Sequence, residues 1–442
     1  MGISTFGGLQ TALRGLLAQQ RSLDVTSHNV ANANTVGYSR QEAVLGASRP
    51  LKIAAGAVQN GGGAEIGTGV DVLAYRRLRD QFIDLQYRAQ AMRLGGLAAQ
   101  VKGLDSVEVA LAEPGESGIS AQLAKFWSGW EDLANAPENQ ATRQALVESG
   151  SALAASIAEL DRQLATAAEQ AGAEYAAITA GGGEVGQMAG EIAQLNEAIR
   201  TSLSSGATPN DLLDRRDLLL DKLSVLAQVS VTEVGDGTIE VEFGDAGLPL
   251  VEGATVNWPQ ALSEPGGRLG ALLQLSGPSG TIASYRGELD GFAQSLAEAV
   301  NAVHASGGGP AFFSFTPGSS ASTLAVAVGA AEVQTSVTPA VGANDIAIAI
   351  GALRGGAADQ AYASFVSRVG TEMAGARRSE ENAAAVMAAI AERRESVAGV
   401  SLDEEMTNLI RFQRAYQASA RAMSSFDEAL DVLINRTGRV GL

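Results

Sequence analysis

The apolar positions near both ends of the chain repeat with alternating spacings of four and three residues. This pattern runs from Leu9 to Val30 and returns from Leu402 to Leu433. Its average of 3.5 residues keeps one seam of a helix facing a partner helix. We therefore expect two terminal helices that pair as a coiled-coil rod, although two amphipathic helices docked separately on a globular body would show the same period. The predicted seam residues are Leu9, Leu13, Leu16, Leu23 and Val30 on the first helix, and Leu402, Met406, Leu409, Tyr416, Met423, Leu430 and Leu433 on the second.

Breaks in the helical pattern border both terminal helices. Asn32, Asn34 and Gly37 follow the first helix, and they favour its end because asparagine competes for backbone hydrogen bonds and glycine accepts a positive φ. A glycine also ends the helix before the second seam, and a serine and a glutamate three residues apart then predict a capping box. These stop and start signals predict a hinge between the rod and the rest of the chain. Its residues on the C-terminal side are Gly399, Ser401 and Glu404.

Between the ends, long stretches of helical periodicity predict a mostly helical body. The first of them is read as a helix over 74–111, and residues 357–398 predict another long helix. Near Val229 the period switches to two, and apolar residues alternate on both sides of Gly-Asp-Gly at 235–237, which predicts a hairpin. The predicted fold is mainly α with a small β insertion. Its domains are a terminal coiled-coil domain (1–45 with 402–442), a long-helix body (46–228 with 275–401, in which 310–350 forms an irregular or β arm) and a small β insertion domain (229–274).

Composition narrows the possible functions. The 442 residues carry a net charge of −18, so a nucleic acid is an unfavourable partner without a basic stripe. The nearest candidate, 76–80, reads as a solvated helix face. There is no cysteine, so disulfides and thiolate chemistry are excluded. The longest apolar runs are too short to cross a bilayer, and no cleavable secretory signal is visible at the N-terminus.

None of the candidate chemical motifs predicts a catalytic, cofactor-binding or metal site. Gly181, Gly183 and Gly186 have the G-x-G-x-x-G spacing, but helical sequence precedes them where a nucleotide site needs a strand. His28 and His304 lack the carboxylate spacing of a helical metal pair, which favours capping or packing. The aspartates at 211, 214 and 217 beside two arginines are interpreted as surface ion pairs. Trp127 and Trp130 are expected in the core.

Longer stretches of the sequence resemble the signatures of a known protein family. Residues 22–40 closely resemble the N-terminal signature of bacterial flagellar rod, hook and hook-associated proteins, and residues 399–405 with 411–420 resemble the C-terminal signature. Within the body, 124–130, 210–217, 312–313 and 364–370 are similar to the branch that forms the hook–filament junction. The resemblance covers most of both halves and is weakest from 229 to 350.

The resemblance implies a structural subunit without enzymatic activity or cofactors. It implies export through the flagellar type III pathway and self-assembly at the hook–filament junction of the extracellular flagellum. The implied partners are copies of itself, the hook protein, the second hook–filament junction protein and a cytoplasmic export chaperone, with no nucleic acid and no membrane insertion. Two alternatives remain, namely a hook or distal rod subunit and an enzyme carried on a flagellar scaffold. The junction-type motifs disfavour the first, and the lack of clustered His, Cys and acidic residues in the insertion disfavours the second.

Overall fold

The structure is a computed structural model that describes residues 7–53, 64–338 and 340–436. Both ends of the predicted terminal domain, 1–6 and 437–442, lie outside the described residues. The seam residue Leu433 is described by its backbone only.

The first half of the chain is helical apart from four short strands near its start. β1 pairs with β4 in an antiparallel ribbon, with Gln41 opposite Arg77 and Ala47 opposite Val70, and β2 pairs with β3 beyond it. The elements are α1 (Gly7–Asn32), β1 (Gln41–Ala47), β2 (Leu51–Ile53), β3 (Ala64–Ile66), β4 (Val70–Arg77), α2 (Gln81–Leu111), α3 (Ile119–Asn135), α4 (Gln140–Thr179), α5 (Glu184–Ser204) and α6 (Asn210–Leu226).

The second half contains a four-stranded antiparallel sheet, in the order β5-β6-β7-β8, and helices interrupted by a short antiparallel pair, β9 with β10. Its two longest helices are the last two of the chain. The elements are β5 (Val229–Glu233), β6 (Ile239–Phe243), β7 (Val251–Glu252), β8 (Thr255–Val256), α7 (Gly267–Ser276), α8 (Thr281–His304), β9 (Phe313–Ser314), α9 (Ser320–Thr323), β10 (Ala325–Val326), α10 (Asp345–Gly351), α11 (Ala357–Ala398) and α12 (Leu402–Asp431).

The terminal helices α1 and α12 pack against each other in antiparallel orientation, which confirms the predicted pairing of the two ends. A methyl group added to Gly8 would lie 2.5 Å from the ring of Phe426, and one added to Gly15 would lie 3.2 Å from Ser419 Oγ. Each step of seven residues along α1 therefore matches a step of seven in the opposite direction along α12. This is the heptad spacing of a coiled coil.

The contact includes small residues of α1 that the predicted seam did not contain. The buried side chains of α1 are Ala18, Ser22, Thr26 and Asn29, so small and polar residues lie against the rest of the subunit. Leu13 keeps 43% of its surface exposed, and the other four predicted α1 seam residues are only half-buried. Small residues therefore set the closest approach of the two helices, and the role of the half-buried seam residues in this contact stays a prediction.

The predicted seam of α12 divides into two groups. Leu409, Tyr416, Met423 and Leu430 are half-buried, whereas Leu402 and Met406 expose 53% and 51% of their surfaces. The only buried residue of α12 is a glutamate, Glu405. A role of the exposed seam residues in assembly stays a prediction.

One hydrophobic core runs through the body and includes the small sheet. Ile239, Val241 and Phe243 on β6 point into it and are fully buried, and Asn196 on α5 donates hydrogen bonds to the carbonyls of Ile239 and Gly253. The prediction of a separate β insertion over 229–274 is therefore wrong, since one face of the hairpin belongs to the body core. Its limit at 274 also falls inside α7.

Three other predicted features differ from the structure. The boundary between 45 and 46 cuts through β1, and α2 begins at Gln81 rather than at 74 because Asp80 caps it by accepting from the amide of Phe82. The segment 310–350 is not an arm, since within its described part Phe312, Phe313 and Ile346 are buried against the core. Trp127 and Trp130 are buried beside them, as predicted.

Candidate functional site: the joint between the terminal helices and the body

Asn29 lies at the centre of the connection between the terminal helices and the body. Its side-chain amide donates to the Gln41 carbonyl at 2.9 Å, and its Oδ1 accepts from the Gln41 amide at 3.0 Å. The end of α1 is thereby fixed to the first residue of β1. The Tyr38 hydroxyl donates to the same Oδ1 at 2.7 Å, and the Asn29 amide also donates to Glu405 on α12 at 3.1 Å.

Arg40 ties the same point to both C-terminal helices. Its Nε donates to Glu405 Oε1 and its guanidinium also donates to Glu404 Oε2, each at 2.8 Å. Its backbone amide donates to the carbonyl of Ala398, the last residue of α11. We call Asn29, Tyr38, Arg40, Gln41, Glu404 and Glu405 the joint, because together they connect α1, β1, α11 and α12.

A second polar cluster continues from the joint into the body. The Ser39 amide donates to Asp214 Oδ2 at 2.9 Å, and Asp214 also accepts from Arg77 on β4. From there four arginines and four aspartates alternate across β4, α2, α6 and α11, at donor–acceptor distances from 2.7 to 3.2 Å in their closest contacts. We call this cluster the arginine–aspartate network; its members are Arg77, Arg79, Arg88, Arg394, Asp84, Asp214, Asp217 and Asp221.

Asp217 is the most connected carboxylate of the network, with Arg77, Arg79 and Arg88 all bonded to it. Burial by itself would raise its pKa, but the neighbouring Arg79 and Arg77 outweigh burial and hold the pKa of Asp217 below its usual value. At the joint, burial raises the pKa of the Tyr38 hydroxyl, and the nearby Asp211, Asp214 and Glu405 add to that shift. Tyr38 therefore stays protonated and acts as a hydrogen-bond donor.

Most of the residues predicted at the hinge lie beside the joint rather than in it. Asn32 is the last residue of α1, and its side chain donates to the His28 carbonyl; Asn34 is exposed in the following turn. Gly37 has a φ of +82°, the left-handed conformation that favours glycine, and a methyl group there would touch Leu218 at 3.2 Å. These residues shape the turn that brings Tyr38 back to Asn29.

The C-terminal side of the predicted hinge has the expected helix stop and start. A methyl group on Gly399 would lie 2.4 Å from the Glu395 carbonyl oxygen, so the chain leaves α11 through a space that only glycine fits. Ser401 Oγ accepts from the Glu404 amide at 3.4 Å, which is the capping bond predicted for α12. The Glu404 carboxylate accepts from Arg40 and so belongs to the joint.

The sequence interpretation missed the network and, apart from Glu404, the joint residues, which are Asn29, Tyr38, Arg40, Gln41 and Glu405. Arg77 and Arg79 do not lie on a solvated helix face, and Asp214 and Asp217 of α6 are not surface ion pairs, because Asp214 is buried and both arginines are mostly buried. Asp211 is exposed and pairs with His28. A signal for this was present. Asp214, Asp217 and Asp221 share one helix face by their i, i+3, i+7 spacing, and Arg77 and Arg79 share one side of an extended segment.

The two histidines have structural surroundings. His28 lies 3.3 Å from Asp211 and packs edge-on against the ring of Tyr38. His304 is fully buried, with Nδ1 donating to the Pro310 carbonyl at 2.8 Å and Nε2 accepting from the Gln334 amide at 2.9 Å. Because one ring nitrogen donates and the other accepts, His304 is neutral, and burial lowers its pKa. Among the described residues, no group of three His, Cys or acidic side chains is placed to hold a metal ion.

Acidification should therefore weaken the fold through His304. The unfolded chain takes up a proton as the pH falls through about 6.5, while the folded chain resists it until a lower pH, so stability declines by up to about 1.4 kcal/mol per pH unit in that window. His304→Gln should unfold at lower urea concentration than the unchanged chain at about pH 7.5, and the gap should narrow at about pH 5.5. Since His28 is present in both proteins, an unchanged gap would contradict a neutral His304.

Comparison with known proteins assigns both sides of the joint to flagellar sequences. A family model described as flagella basal body rod protein matches residues 9–38, and one described as flagellar basal body rod FlgEFG protein C-terminal matches 394–436. Residues 104–265, which include the network aspartates of α6, match the flagellar hook-associated protein FlgK helical domain. Flagellar hook-associated protein 1 of Bacillus subtilis is 30% identical over 510 aligned positions, which cover 98% of this chain and 99% of that protein. The chain belongs to the flagellar hook-associated protein 1 family.

Other members of the family match over a shorter length. Flagellar hook-associated protein 1 of Salmonella typhimurium is 29% identical over 282 residues, which are 63% of this chain and 47% of that protein. The solved flagellar hook junction protein FlgK of Burkholderia pseudomallei aligns over 52% of this chain and 46% of its own, with 25% identity and a TM-score of 0.45. Within the part of this family member that the structure describes, no helix is long and apolar enough to span a bilayer.

Proposed function

We propose that this chain is the structural subunit that joins the flagellar hook to the filament. The observation that carries the proposal is the match along nearly the whole of both chains to hook-associated protein 1 of Bacillus subtilis. The two rod-type family models meet at the joint, which connects the terminal helices to the body. A subunit placed between two polymers needs such a connection, because force on its ends must reach its body.

The terminal helix pair is suited to polymerisation because it leaves apolar residues uncovered. Leu13 and Leu17 on α1 and Leu402, Met406 and Ile410 on α12 each expose between 43% and 53% of their surfaces. Burial of apolar surface of this kind stabilises assembly by about 25 cal/mol per Å². We assign the exposed members of the predicted seams to contacts between neighbouring copies.

The proposed function implies two partners in the flagellum, the hook protein on one side and the second hook–filament junction protein on the other. It also implies an export chaperone that binds the chain before secretion to the cell exterior. The role is mechanical and does not include turnover. In support, the aspartates that resemble paired catalytic carboxylates are engaged in other bonds: Asp211 accepts from Gln41, and Asp214 and Asp217 accept from arginines.

Deletion of the gene from its host should give non-motile cells that carry hooks without filaments, as seen by electron microscopy, and release filament protein into the medium. Expression of the unchanged chain should restore filaments, and an antibody to the chain should label the tip of the hook. Cells lacking hooks as well would indicate a rod or hook subunit instead. Normal filaments on the deletion strain would refute the proposal.

A further inference from the structure

A groove runs along the exposed side of α2, between α7 and α11. Its volume is about 1510 Å³, and the part of α2 that lines it extends from Gln86 to Gln100. This stretch of helix is about 21 Å long. A helix about 10 Å in diameter would fill a volume of this size over a length of about 19 Å. The groove therefore has the dimensions of one further helix of about 13 residues.

Large apolar side chains on both sides of the groove face solvent. On α2, Phe82 exposes 62% of its surface and lies seven residues before Ala89, which lines the groove. On α11, Val386 and Val397 expose 50% and 39% of their surfaces, four residues before and seven residues after Ile390, which lines the groove as well. Steps of four and seven residues return to nearly the same side of a helix, so the apolar surface continues the groove at both helices.

Two arginines beside this surface have no ion-pair partner among the residues that the structure describes. Arg93 lines the groove on α2, and Arg393 lies three residues after Ile390 on α11; both are exposed. One carboxylate, Glu264, lines the groove, so two positive charges and one negative charge leave it basic on a chain with a net charge of −18. We call this surface the α2 groove; its main residues are Phe82, Leu85, Arg93, Val386, Arg393 and Val397.

We propose that the α2 groove binds an amphipathic helix of a different protein, with an apolar face bordered by acidic residues. The apolar face would cover Phe82 and Val386, and the acidic residues would pair with Arg93 and Arg393. Gly270 on α7 lines the groove, and a methyl group added there would have nothing within 4 Å. The missing side chain leaves room for the partner helix to lie close to α7.

A second copy of this chain offers no helix of this kind. Besides α2 and α11, only α1 and α12 among the twelve α-helices of the described chain carry two or more large apolar residues that are exposed. The exposed leucines of α1 lie on either side of Arg14, which has the same charge as the groove. In the first turn of α12, Glu404 and Glu405 are bound to Arg40, and the next charged residue is Arg411. The partner is therefore a protein with an acidic helix of its own.

Two designed peptides test the charge of the partner. One is a helix of about 14 residues, held by an internal cross-link, with leucines on one face and glutamates beside them; the other has lysine in place of each glutamate. Fluorescence anisotropy at low salt should show that the glutamate peptide binds the purified full chain. Its affinity for the double variant Arg93→Glu with Arg393→Glu should fall at least about tenfold, and the lysine peptide should show the reverse order. The reverse order is a gain of binding, so it cannot result from a variant that fails to fold.

The absence of cysteine from the chain allows the bound peptide to be located. Ala89→Cys places a thiol in the groove, and the matched control Ala155→Cys places one on α4, which does not line it; both alanines are exposed. Neither substitution removes a charge or a large apolar side chain of the α2 groove. A glutamate peptide that carries a bromoacetyl group should alkylate Ala89→Cys at least about ten times faster than Ala155→Cys, and an excess of unreactive glutamate peptide should abolish the difference.

Three results would overturn the proposal. The first is equal alkylation of the two thiols, and the second is a failure of the unchanged chain to prefer the glutamate peptide over the lysine peptide. The third concerns a second copy as the occupant. If the unchanged chain formed dimers in sedimentation experiments and Gly270→Trp, which fills the groove, abolished them, the groove would bind another copy instead. Because all these experiments use purified protein, they do not depend on where the chain acts.

Discussion

Replacement of Asp217 with asparagine is expected to lower the free energy of unfolding by about 3–5 kcal/mol, because a largely buried charge network loses one carboxylate. Asp217 accepts from Arg77, Arg79 and Arg88 at 2.7 to 3.2 Å, and none of the three arginine side chains is more than 19% exposed. Asparagine can accept one or two of these bonds but cannot balance the charge. The shift is measured as the change in the urea midpoint of the helical circular dichroism signal.

The matched control is Glu197→Gln, which breaks the exposed ion pair with Arg200 on α5. Both of those side chains are about half exposed, so the change in the free energy of unfolding should be small beside that of Asp217→Asn. Acidification provides a second check. The lowered pKa of Asp217 means that its contribution is present above the ordinary value of 3.8 and is lost as the pH falls through the lower folded value, so the gap to Asp217→Asn should shrink there. Equal effects of the two substitutions near neutral pH would contradict the network account.

The second large effect is expected at the joint, where Glu405→Gln should release α12 from the body without unfolding the body. Glu405 is 1% exposed and accepts from both Arg40 and Asn29, so loss of its charge leaves a mostly buried guanidinium with one carboxylate in place of two. The cost should be about 2–4 kcal/mol, confined to the terminal helices. Hydrogen exchange measured by mass spectrometry should show faster exchange in α1 and α12 and unchanged protection in α11.

Glu404→Gln is the control for this experiment, because the Glu404 side chain accepts from the same arginine but is 62% exposed. Its substitution should change exchange in α12 by no more than about 1 kcal/mol. If Glu404→Gln opened α12 as much as Glu405→Gln does, burial of the Glu405 carboxylate would not be the cause. Loss of protection in α11 together with α12 would mean that the joint and the body unfold as one unit.

The terminal pairing could be predicted from the sequence, but the part that glycines play in the contact could not. Leucines at alternating spacings of four and three residues predict a helix with an apolar seam, and this pattern occurs at both ends of the chain. The closest approach to α12 is at Gly8 and Gly15, where the lack of a side chain lets the two helices come together. Hydrophobic periodicity gives no weight to glycine, so the pattern did not include these positions.

Local signals were also sufficient for the hairpin of β5 and β6, because Gly-Asp-Gly between alternating apolar residues specifies a turn. What the alternation could not show is the surface against which Ile239, Val241 and Phe243 pack. The joint could not be predicted for a similar reason, because its residues lie far apart along the chain. Glu405 reads as an acidic residue in the first turn of a helix, and only the fold brings it to Asn29, 376 residues away.

That separation sets the order in which the molecule is completed. Closing a flexible loop of this length would by itself cost about 5 kcal/mol of chain entropy. Once the body has folded, Ala398 and the first residue of β1 are already neighbours through Arg40, and most of that cost has been met. The joint can close only after the chain has been made as far as Glu405, because that residue is its last partner along the sequence. A chain interrupted between α11 and Glu405 would contain every helix of the body and still lack the carboxylate that fixes the terminal helices to it.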